Sequence, residues 1–218
     1  IEIHENPHKI KSFLHFLSTI SSYHHRKTDF LNKIETIIQL FKDDMDKYFS
    51  NSEIFNIFKN SKRILLYLFE KNIIFVDQSI VKKIITDDFL LANKYPQYFQ
   101  PEIKPFINEK WFPKYDEYHK RLPLNSWVSE IKKDLPDDFY EKRKIGENDD
   151  IVCKMIRKDL IDEFIIFANK NFYPIKSTVN PSIYETNNFL LKNNKPTLIE
   201  YSAFFGSIQI FNYLRLNG

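Results

Sequence analysis

The chain has 218 residues, 43% of them hydrophobic, with 21 phenylalanines and 12 tyrosines, which is enough apolar material for one large domain or two small ones. Its 32 basic and 29 acidic residues leave a formal charge of +3, a balance that argues against a nucleic-acid partner. Three glycines are too few for phosphate loops, dinucleotide-binding folds and tight β-hairpins together, and no apolar run reaches the roughly 18 residues a membrane span needs.

The single cysteine, Cys153, excludes an internal disulfide and fits an intracellular, cytoplasmic protein. A chain that opens on Ile1 reads as a fragment or a processed product. In chain order, apolar residues at Ile10, Phe13, Leu14, Leu17 and Ile20 mark a first helix between His8 and Tyr23. Thr28 is expected to cap one long helix carrying Leu31, Ile34, Ile37, Ile38, Phe41, Met45 and Tyr48. Asn51 or Ser52 should cap a third, through Ile54, Phe55, Ile57 and Phe58, and Asp77 to Thr86 reads as a further short helix.

Between Asp87 and Pro136, prolines at 96, 101, 105, 113, 123 and 136 limit any helix to about ten residues, because each removes a backbone donor and constrains its predecessor. Asn125 or Ser126 should cap a short helix through Trp127, Val128 and Ile131. The stretch Lys142 to Asp149, KRKIGEND, has a charge run, a glycine and no apolar face, so 141–149 reads as a linker. From Phe172 to Lys195 runs a long connection with a short helix near Tyr184 to Leu191. Turn-linked alternating runs are absent, so no sheet is expected.

Pro196 to Gly218 reads as two helices around a turn at Gly206, with Gly218 ending the second. Thr197 and Glu200 form a T-x-x-E capping box. Ser202 and Ala203 are small enough for close helix approach, so Ala203 is expected at a tight contact. The stretch Lys59 to Asn72 aligns without a gap on Phe205 to Gly218, pairing Ser61 with Ser207, Ile64 with Ile210, Tyr67 with Tyr213 and Leu68 with Leu214. Asn60 and Asn72 fall where the later copy has Gly206 and Gly218, and asparagine tolerates the left-handed conformation best after glycine. A third, looser copy runs from Asp150 to Asn171, where chance likeness between amphipathic helices is an equal explanation.

This spacing resembles the ankyrin repeat, whose hallmark positions are matched by Thr197, Ser202, Ala203, Gly206, Ile210, Leu214 and Gly218. It departs where Leu198 replaces the family's proline and Glu200 its histidine, so the inter-repeat histidine bond is missing and the capping box takes over the helix start. The chain as a whole resembles protist-type proteins in which a helical, repeat-related domain of unknown function precedes ankyrin repeats. The resemblance implies a non-enzymatic scaffold that binds an unidentified protein partner through Tyr201, Phe204 and Phe205. The alternative is an enzyme or effector activity in residues 1–140, with the array as its targeting arm.

Nothing in the sequence asks for a catalytic residue, a cofactor or a metal. His15, His24, His25 and His119 read as exposed polar residues, and Cys153 as a buried structural thiol. The carboxylate pairs 43–44, 87–88, 137–138 and 149–150 read mostly as helix starts. The expected fold is all-α: an N-terminal helical region over 1–140, a linker, and ankyrin-like repeats over 150–218, truncated at the C-terminal end. An apolar face left by that truncation, with Leu198, Phe205, Ile208 and Leu216 as candidates, implies self-association through the uncapped last repeat.

Overall fold

Asn6 opens the first helix, α1 (Pro7–Ser22), by accepting the amides of His8 at 3.0 Å and Lys9 at 3.2 Å. The computed structural model describes residues 6–23, 28–107, 131, 133–192 and 195–218, whose regular elements are helices with no strand among them. The fold is all-α. The predicted helix around Trp127 lies outside the described residues except for Ile131, which is helical and buried. His24, His25 and His119 also lie outside them.

The apolar run from Leu31 to Tyr48 forms two helices rather than one, α2 (Thr28–Leu40) and α3 (Lys42–Tyr48). Phe41 breaks the run at φ −99° and ψ 8°, and its buried ring packs on Phe13 at 5.2 Å. The bend keeps Met45 in the same core as Ile34 and Ile38. The next helix, α4 (Asn51–Phe58), is capped by Ser50 rather than by Asn51 or Ser52. Glu53 stands three residues after Ser50, which lets its carboxylate accept the Ser50 amide at 2.9 Å while Ser50 Oγ accepts the Glu53 amide at 3.3 Å. Asn51 instead spends its amide group on Phe75 O, 2.8 Å away.

After α5 (Lys62–Glu70), Asp77 caps α6 (Gln78–Thr86) and Asp87 caps α7 (Asp88–Ala92). Among its described residues up to 107, the proline-rich stretch then gives single turns: α8 (Tyr95–Tyr98), α9 (Gln100–Ile103) and a 3₁₀ turn at Lys104–Phe106. The segment read as a linker enters the structure as part of α10 (Phe139–Ile145), then a turn at Gly146. Arg143 gives α10 an inner face that apolar spacing does not reveal. It is 4% exposed, and donates to Tyr98 O at 3.2 Å and to the Glu102 carboxylate at 2.8 Å.

The remaining helices are α11 (Ile151–Arg157), α12 (Ile161–Lys170), α13 (Asn188–Lys192), α14 (Leu198–Phe205) and α15 (Ile208–Asn217). One signature ends four of the fifteen helices among the described residues: an amide five residues on bonds back into the last turn, with a left-handed residue just before it. The bonds run from Ile73 to Leu68, Leu160 to Met155, Tyr173 to Ala168 and Ser207 to Ser202. The left-handed residues are Asn72, Asp159, Phe172 and Gly206. Asn72 does what its alignment with glycine predicts, but Asn60 does not. The α4–α5 turn has one residue more than the α14–α15 turn, and Ser61 closes it with an ordinary bond to Phe58 O at 2.9 Å.

Two apolar clusters result, one drawn from Ile10 to Ile131 and one from Val152 to Leu214. In the first, α1 packs on α4 and α5 through serines small enough for close approach. Ser18 Oγ donates to Ile57 O at 2.6 Å and Ser21 Oγ to Ser61 Oγ at 3.2 Å. In the second, α11 packs on α14 and α12 on α15, so the two pairs stack helix to corresponding helix. Ser207 donates its hydroxyl to Ile156 O, and the Asp159 carboxylate accepts the amides of Gln209 at 3.1 Å and Ile210 at 3.0 Å. The turn of one pair therefore caps the second helix of the next.

Ala203 is exposed, contrary to its expected place at a tight contact; Ser202, fully buried, holds that place. Counting from the caps Asp150 and Thr197, Ala203 matches Ile156, whose side faces onward to the following pair. Of the residues expected on an open end face, Ile208 is 68% and Leu216 76% exposed, and Phe205 is half-buried. Leu198 is 1% exposed because it enters the core beneath the cap, and so leaves that set.

Candidate functional site

Tyr201, Phe204 and Phe205 lie on α14, and the structure separates them. Tyr201 is 1% exposed and its hydroxyl accepts from Arg157 at 2.8 Å, so it offers nothing at the surface. Burial pushes its phenol pKa upward. Phe204 stacks face to face on Phe189 of α13, with centroids 4.9 Å apart and planes 6° from parallel. Phe205 packs on Tyr201 at 4.7 Å and on Phe204 at 5.0 Å. Phe189, 43% exposed, completes a half-open aromatic strip with Phe204 and Phe205. Sequence reasoning missed Phe189, since nothing local links the long connection to the face of α14.

The most unusual chemistry sits where the connection crosses back over α5. Lys62, fully buried, donates from Nζ to Ile183 O at 3.1 Å and Glu185 O at 3.2 Å. The rings of Tyr95 and Tyr98 flank the ammonium at 5.3 and 5.2 Å. Desolvation lowers the Lys62 pKa to about 7, against the opposing pull of Glu185. Glu185 is buried too, and its carboxylate accepts the amides of Asn187 at 2.8 Å, Thr186 at 3.0 Å and Asn148 at 3.3 Å. Burial raises its pKa. Thr186 fastens the same segment to Gly146 O at 2.8 Å. A side chain on Gly146, at φ 74°, would meet Thr186 at 3.0 Å.

The Tyr95 hydroxyl and Asn188 Oδ1 are buried and find no hydrogen-bond partner among the described residues around this junction. The amine itself is sealed by carbonyls and rings, an arrangement that fastens segments together and leaves no approach for a substrate. Cys153 is likewise enclosed at 1% exposure, and burial pushes its thiol up to about 12, away from thiolate chemistry. Asp87 and Asp150 serve as helix caps, accepting from Phe89 at 3.0 Å and from Val152 at 2.8 Å. Among the described residues no group of three or more His, Cys, Asp or Glu is placed to hold a metal, and no helix is long and apolar enough to cross a membrane. Compared with family models, curated proteins and solved structures, the chain matches none.

Proposed function

We propose that this chain is a non-enzymatic protein-interaction scaffold built on ankyrin-like helix pairs. The observation that supports it most directly is the stacking of α11–α12 on α14–α15, in which Asp159 caps the helix of the following pair. Such stacks present side chains in a regular row, and their partners bind across several units. The row here carries the aromatic strip of Phe189, Phe204 and Phe205, a half-exposed set of the residue type that dominates interface energetics. The placement of Tyr201 removes it from that surface and makes it the strip's support.

The alternative, an enzyme or effector activity within residues 1–140, finds its best footing in the depressed pKa of Lys62. Against it stands the sealed geometry around that amine. The test is capture of partners from lysate of the source cells with the chain and with a Phe189→Ser/Phe204→Ser variant. A protein retained by the first and lost from the second is the expected result. Equal retention by both would remove the strip from the proposal, and a chain that retains nothing would remove the scaffold reading.

A further inference from the structure

A cavity of about 130 Å³ opens between the end of α7, the loop after Gly146, the 179–196 connection and α14. Its size is close to the roughly 150 Å³ that holds a benzene-sized guest in an apolar protein interior. Val179, Leu190, Leu191 and Pro196 supply apolar walls. Lys94 and Lys195 also line it. Both hold left-handed backbone, at φ 57° and φ 78°, a conformation that non-glycine residues rarely adopt. Two of the five non-glycine residues with positive φ among the described residues thus border one cavity.

The charge in the walls favours an anion. Lys94 Nζ makes one long hydrogen bond, to Pro181 O at 3.4 Å, and Lys195 pairs with nothing among the described residues. The one carboxylate among the described lining residues, Glu185, already accepts three backbone amides, and Lys62 donates to the backbone carbonyl of the same residue. Asn93 and Asn148 complete the polar wall, each with its side-chain amide donating to a backbone carbonyl.

We propose that this cavity binds a carboxylate carried on a compact apolar group, with the apolar part against Val179, Leu190 and Leu191 and the carboxylate between Lys94 and Lys195. The chemistry is met by a small free acid or by the terminal residue of a peptide, and the reading does not depend on the scaffold proposal. The test is calorimetric titration of the full chain with phenylacetate and phenylacetamide, and with a Gly-Ser-Gly-Leu peptide bearing a free or an amidated C-terminus. The expected result is binding of the acids over their amides and a weakening of about tenfold or more in Lys94→Gln/Lys195→Gln, which removes both charged contacts to the carboxylate. Ala92→Phe, which fills the mouth from an exposed position at the end of α7, should abolish binding while the thermal transition stays in place. Tighter binding of the peptide assigns the site to a chain terminus, and tighter binding of phenylacetate to a small acid. Equal binding of acid and amide, survival of binding in the double variant, or no binding at millimolar probe would overturn the proposal.

Discussion

The helix pairs α4–α5 and α14–α15 share their local grammar and differ in what surrounds them. Each opens on a capping box, Ser50 with Glu53 and Thr197 with Glu200. Each keeps its aligned core positions, with Ile64 and Ile210 both fully buried and Leu68 and Leu214 at 0% and 3%. At the aligned pair Lys62 and Ile208 the usual rule inverts: the lysine is 0% exposed and the isoleucine 68%. Helix α5 is covered by α1, by α4 and by the 183–185 connection, whereas α15 packs on α12 and α14. Burial at a matched position is therefore a property of the neighbour and not of the residue.

The largest effects should fall where the pairs agree. Ile64→Ala and Ile210→Ala each remove a fully buried side chain, and each should cost about 2–5 kcal/mol in urea unfolding. A cost near zero at Ile210 alone would break the parallel and leave α15 loosely held.

Next come the positions where the pairs differ. Lys62 in the folded chain releases its proton near pH 7, while the unfolded chain holds it to about 10.5. Across that window the unfolded state binds more protons, so stability rises with pH; below it both states are protonated and the contribution is flat. The slope should approach 1.4 kcal/mol per pH unit, modulated by Glu185, Lys94, Tyr95 and Tyr98 around the amine. Lys62→Met should flatten it, and Ile208→Lys should introduce no slope at all. A wild-type curve already flat between about pH 7 and 8.5, below the range where the raised Cys153 thiol opposes the rise, would show that the amine reaches water.

Smaller still are the caps. Ser50→Ala and Thr197→Ala each forfeit one side-chain acceptor and should cost about 1 kcal/mol apiece in thermal or denaturant unfolding. A clear inequality would mean that tertiary contacts carry one box. The smallest effect is expected at Ala203→Leu, which adds bulk at an exposed site and should leave stability within about 0.5 kcal/mol. A loss of several kcal/mol would put Ala203 back in a tight contact.

What the sequence by itself determined is the part of the structure governed by neighbours along the chain. The caps at Asp77 and Thr197, the turn at Gly206, the proline-limited turns after Asp87 and the left-handed Asn72 all follow from interactions within about five residues. The Ser50 box is equally local, with Glu53 three residues on, yet the cap expected from the sequence, at Asn51 or Ser52, misses it. Tertiary structure alone decided the rest. The break at Phe41 serves a ring packed against Phe13, and Phe189 reaches Phe204 only once α13 lies beside α14. Asp159 caps a helix about fifty residues away, a contact no local pattern encodes. Lys62 reads in sequence as one more solvated charge, because the carbonyls of Ile183 and Glu185 that bury it come from more than 120 residues downstream. A cap is satisfied by atoms that the chain itself keeps within reach, whereas a face is buried only by whatever the fold brings against it.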